Sequence, residues 1–129
     1  MREIKFRARH KETGDWFYGS SQIIDLHPRP VEDNFLLPLS LFWLEVEKGI
    51  LVKETTGEGT GLHDKNSKEI YEGDILRFDL SEMGYIELGF IEFIDSGFWM
   101  KSPNGQIHLP TQERREVIGN IHENPELLK

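Results

Sequence analysis

Glu69, Glu72 and Asp74 put three carboxylates within six residues, a cluster that could do acid–base chemistry. Two carboxylates can divide general acid and general base roles when burial separates their pKa values. These three flank Gly73 in a turn that releases the chain into a strand. Such a setting predicts solvated side chains for Glu69 and Glu72, backbone N–H bonds to Asp74, and a half-buried anchor at Tyr71 between them. His63 and Asp64 are adjacent, and an Asp in a turn bonds its own backbone more readily than it orients an imidazole. The five histidines (His10, His27, His63, His108 and His122) never recur at the two- or four-residue spacing that aims two imidazoles at one metal. Cysteine is absent, which removes thiolate nucleophiles, disulfides and Cys-ligated metals. Gly57, Gly59 and Gly61 have neither the following Lys-Ser/Thr of a phosphate loop nor dinucleotide-loop spacing. The expectation is therefore a non-enzyme, with no catalytic residue, cofactor or metal.

Binding residues are the alternative. Arg7, Arg9 and Lys11 belong to a basic arm: residues 1–12 carry five basic and two acidic groups, against ten and twenty-one in the remainder. A net charge of −8 is the reverse of what tracking a phosphate backbone requires, so nucleic-acid contact through these three is the lesser reading and a wet strand face the simpler one. Trp16, Tyr18, Phe98 and Trp99 could stack on bases. The acidic balance favours packing against another subunit instead. Adjacent Phe98 and Trp99 must point to opposite faces of a strand. Phe42, Trp43 and Trp99 are the expected subunit-contact residues.

The elements that must position these groups are mostly strands. Twelve glycines and six prolines are spread along the chain, a pattern that punctuates short strands. Ile4, Phe6 and Ala8 alternate with Lys5, Arg7 and Arg9, and a turn at 12–15 leads to Trp16-Phe17-Tyr18, so residues 3–19 read as a hairpin. A short apolar stretch at 22–26 leads into His27-Pro28-Arg29-Pro30, which predicts a mobile extended loop over 28–34. Residues 36–48 fit a brief helix opening near Pro38 or a hairpin, running into a strand at 50–55. Thr56–Gly61 reads as a flexible connector.

Beyond it, strands are predicted at 75–80, 85–94, 98–100, 107–109 and 116–121. The apolar phase slips beside Gly89, which suggests a β-bulge or a sharp strand bend there. Asn124-Pro125-Glu126 opens a terminal helical turn. The predicted fold is mostly β: an N-terminal hairpin unit over 1–59 with an irregular 20–50 segment, and an SH3-like small β-barrel over 60–129, with one or two short helical turns. No apolar run reaches membrane-spanning length and no signal peptide or lipidation motif is evident, so a cytoplasmic protein is expected.

Three blocks carry a family resemblance: Ile4–Ala8 with Trp16-x-Tyr18-Gly19; Thr60–Ile75; and Glu116–Leu128. They resemble the YopX-like proteins encoded by phages and prophages of Gram-positive bacteria. The resemblance implies a β-rich fold and homo-oligomers, and brings no established activity, cofactor or catalytic residue. Ser67 stands where the family usually has glycine after asparagine, which predicts a less constrained turn. The combined expectation is a self-associating protein-interaction module of a bacterial host cell, its partner a host or phage protein. The alternative is a nucleic-acid accessory protein using the basic strand and an aromatic face.

Overall fold

Alternation at the start of the chain forms strand β1 (Lys5–Arg9), which returns through a turn closed by the Gly14 N–H on His10 O into β2 (Trp16–Ser20). The computed structural model describes residues 3–22, 29–31, 34–103 and 105–128, in two compact units, 1–59 and 60–129.

In the first unit, β2 pairs in parallel with β4 (Asn34–Pro38), and β3 (Arg29–Val31) lines the far edge of β4. The loop predicted over 28–34 is in part strand. Pro30 is accommodated because β3 is an edge, where a missing N–H costs no ladder bond. The apolar stretch at 22–26 lies largely in residues 23–28, which, like 32 and 33, are outside the described residues.

Helix α1 (Leu39–Glu47) settles the ambiguous region, with Pro38 at its N-cap. Its end is a Schellman motif: Gly49 N–H donates to Val46 O and Ile50 N–H to Glu45 O, with Gly49 at φ +79°. The strand expected at 50–55 is instead a single bridge between Leu51 and His10, then a 3-10 turn at Lys53–Thr55. The Arg9 N–H and the Val52 O that would extend a ladder here both bond the Thr55 hydroxyl. Phe42 lies over Gly19, where a Cβ would stand 2.7 Å from the Phe42 side chain. The core of this unit is Ala8, Leu37, Phe42 and Leu51, flanked by Phe6, Phe17, Leu41 and Val46.

The chain leaves the first unit within β5 (Gly57–His63), so the predicted flexible connector is a strand. Gly57 and Glu58 pair with β1, and the stretch from Thr60 pairs with β6 (Glu69–Tyr71). In the second unit β7 (Asp74–Leu80), β8 (Tyr85–Ile94), β9 (Gly97–Ser102), β10 (Gly105–Ile107) and β11 (Arg115–Asn120) form one antiparallel sheet, ordered β10-β9-β8-β7-β11. The last strand returns beside the first. Among the described residues no ladder joins β10 to β11. Asp95 and Ser96, at φ +49° and +67°, make the two-residue turn between β8 and β9. The second core gathers Ile70, Leu76, Ile91 and Met100. The fold is mostly β, as expected, and the Asn124-Pro125 signal ends in a 3-10 turn at Pro125–Leu128.

Of the bulge or sharp bend expected at Gly89, the bulge is absent. The β7–β8 register runs unbroken from Leu80↔Tyr85 to Ile75↔Phe90. The bulge lies in β11 instead, where Val117 faces Leu76 and Gly119 faces Ile75, leaving Ile118 as the extra residue.

Candidate functional site

Gly89 marks a fork rather than a bulge. Strand β8 pairs with β9 only from Phe90↔Lys101 to Ile94↔Gly97. On the other side of Gly89, residues 85–88 pair, among the described residues, with β7 alone. At the fork point the β9 backbone comes so close that only glycine fits: a Cβ on Gly89 would stand 2.6 Å from Lys101 O. Between its arms lies a cleft of about 150 Å³ lined by Phe78, Tyr85, Glu87, Ser102 and Ile107.

Register explains why these five meet. Phe78 lies directly opposite Glu87, and Ile107 opposite Met100 on the core face, with Ser102 two residues beyond Met100 on that face. Tyr85 is half exposed and forms the mouth, whereas Glu87 is only 9% exposed. Sequence reading missed Glu87. Its signal was the phase slip at Gly89, which records a polar residue and a glycine at two core-facing positions, 87 and 89, in register with Ile91.

The predicted carboxylates serve the scaffold. Asp64 is 1% exposed, and its carboxylate accepts N–H bonds from Asn66, Lys68 and Val117, each at 2.9 Å. Burial opposes its charge, but the backbone bonds from Val117, Lys68 and Asn66 and the Lys68 ammonium outweigh it, holding its pKa below the usual 3.8. Lys65 N–H donates to Arg115 O, Gln112 Nε2 to Asp64 O, and Arg115 to His63 O and Pro110 O. Burial lowers the Arg115 pKa, and the charges of Asp64 and Glu113 oppose that shift. Asp74 accepts the Tyr71 N–H at 2.7 Å, as expected, with Tyr71 6% exposed. Glu69 and Glu72 remain partly exposed. Gly73, at φ +91°, donates to Ile91 O and accepts from Ile121 N–H. The second and third family-like blocks are therefore bonded to one another, and their residues hold the strand junction together.

Ser67 corrects the expectation of a looser turn. It adopts φ +65°, the left-handed conformation glycine favours, while its N–H bonds Asp64 O. The turn is as constrained as a glycine would make it, with a strained residue in place.

The expected contact residues separate. Phe42 is fully buried in the first core and reaches no surface. Trp43 is 40% exposed. Trp99 leaves the core side occupied by Phe98 and stacks on His108, ring centroids 4.3 Å apart. The basic strand face is not simply wet. Arg7 is 4% exposed, its guanidinium 4.4 Å from the Trp16 ring, because Trp16 is its diagonal cross-strand neighbour. Arg9 Nε donates to Gly14 O, and Lys11 is the one fully exposed member of the trio.

His10 Nδ1 accepts the N–H groups of Glu12 and Thr13, so this imidazole shapes its turn. His27 is outside the described residues. Among the described residues no group of three or more His, Asp or Glu gathers as a metal site, and no helix is long and apolar enough to cross a membrane.

A family model described as YopX protein matches residues 5–129. Among solved structures, the crystal structure of protein EF1440 from Enterococcus faecalis is similar, with 25% sequence identity and a TM-score of 0.58 over 98% of both chains. No curated protein matches.

Proposed function

This chain belongs to the YopX protein family, and from that premise we propose that it is a non-enzymatic, self-associating protein-interaction module built on an SH3-like sheet. The observation that carries the reading is Trp43. Its ring meets Phe6 edge-on at 4.9 Å and Phe42 at 5.2 Å, so it is held rigidly, yet it remains 40% exposed. Leu44 beside it is 43% exposed, and Ile4, just before the strand that carries Phe6, is 49% exposed. A pre-positioned tryptophan among apolar neighbours has the chemistry of an interface anchor. The occupant proposed for this face is a second copy of the chain. The same reading makes it a phage or prophage protein of a Gram-positive bacterium, acting in the host cytoplasm on a host or phage protein; the family resemblance supports it.

Light scattering at micromolar concentration tests self-association. The wild-type chain is expected to be an oligomer and Trp43→Ser a monomer with an unchanged circular-dichroism spectrum. A wild-type chain that stays monomeric overturns the reading.

A further inference from the structure

We infer that the cleft between the arms of the β8–β9 fork is a receptor for one lysine side chain of a basic partner protein. The inference rests on the protein-binding reading for the source of the lysine, but the site can be tested without any native partner. Three observations converge on it.

The first is shape. A volume of about 150 Å³ is roughly tenfold the 10–15 Å³ that a single water needs on the same measure, so the cleft has room for a slender side chain of five non-hydrogen atoms such as lysine's.

The second is lining. Phe78 and Ile107 offer apolar surface to an aliphatic stem, while the Tyr85 ring at the mouth is an aromatic face of the kind that attracts ammonium groups. Glu87 supplies the one carboxylate among the lining residues. It is largely withdrawn from water, so an arriving cation meets a stronger field than at the surface.

The third is charge. Residues 60–129 hold thirteen acidic and seven basic groups, most of the chain's −8, so this unit attracts basic partners over a distance as well as at contact.

The test is an NMR titration of the isotope-labelled full-length chain with the peptides acetyl-Gly-Lys-Gly-amide and acetyl-Gly-norleucine-Gly-amide, which share a stem and differ in the ammonium. Saturable shifts confined to the amides around Phe78, Glu87 and Ile107, with at least tenfold weaker binding of the norleucine peptide, are expected. Glu87→Gln should weaken the lysine peptide by at least tenfold while leaving the oligomeric state unchanged. Equal binding of both peptides would reduce the site to an apolar crevice and overturn the inference. Non-saturating shifts spread over the acidic surface would overturn it as well. If Glu87→Gln dissolved the oligomer, the cleft would hold a residue of a second copy, and the basic-partner assignment would fail. Because the peptide titration and the light scattering read different faces, either proposal can fall while the other stands.

Discussion

Asp64 and Glu87 are both carboxylates largely withdrawn from water in the second unit, one at 1% and the other at 9% exposure. Three backbone N–H groups converge on Asp64, two from its own turn and one from the bulged strand 53 residues further on. Glu87 faces Phe78 across a strand pair and opens into a cleft whose mouth is the half-exposed Tyr85. The first carboxylate closes a junction, and the second lines an opening. Burial alone therefore does not identify a functional acid. What distinguishes the two is that three backbone donors fix the first in a strand junction, whereas an open cleft adjoins the second.

The strongest blow to this contrast is Gly89→Val, which forces side-chain atoms against Lys101 O where even a Cβ would stand at 2.6 Å. Prising the fork apart is expected to cost about 3 kcal/mol, read as a lowered midpoint in denaturant unfolding.

The same chemical change made at the two acids sharpens the comparison. Asp64→Asn replaces an acceptor of three N–H bonds by an amide that can no longer satisfy them all, a loss of about 2–3 kcal/mol. Glu87→Gln is expected to change stability by less than about 1 kcal/mol, because the amide keeps the side chain's shape and one accepting oxygen beside an open cleft. Equal losses from the two substitutions would erase the distinction.

Acid separates them too. The folded pKa of Asp64 lies below its unfolded value, so its contribution is fully present above that unfolded value, near 3.8, and is lost as pH falls through the folded one. The stability gap between wild type and Asp64→Asn should therefore shrink in the acid range below about pH 4, as followed by thermal melts at stepped pH.

The smallest effect has the opposite sign. Ser67 at φ +65° serves the turn that presents Asp64, and Ser67→Gly should stabilise the chain by about 0.5–1 kcal/mol by relieving left-handed strain. An unchanged or lower melting temperature would show that the unfolded chain's gain in freedom outweighs that relief.

Much of the fold was legible in local pattern. The hairpin of β1 and β2 followed from strict alternation, and the turns at Asp64–Ser67, Gly73 and Asp95–Ser96 from residue types that tolerate them. The backbone role of Asp64 and Asp74 was legible for the same reason, since an Asx side chain reaches its own neighbours without help from the rest of the chain. Three things were not. Residues 39–47 carry an apolar run whose period suits helix or strand, and contact with Gly19 and the first core decided for helix. Arg7 looked solvated because alternation assigns a face but not what covers it, and Trp16 covers it. Glu87 was invisible as a site because a phase slip records only that some core-facing position is not apolar. Whether that yields a bulge or a cleft depends on how closely a strand more than ten residues away approaches Gly89. Local sequence determined the conformations that adjacent residues impose on one another through sterics and short-range hydrogen bonds. The bulge in β11, the fork at Gly89 and the burial of Glu87 arise from long-range pairings, and only the tertiary structure decided them.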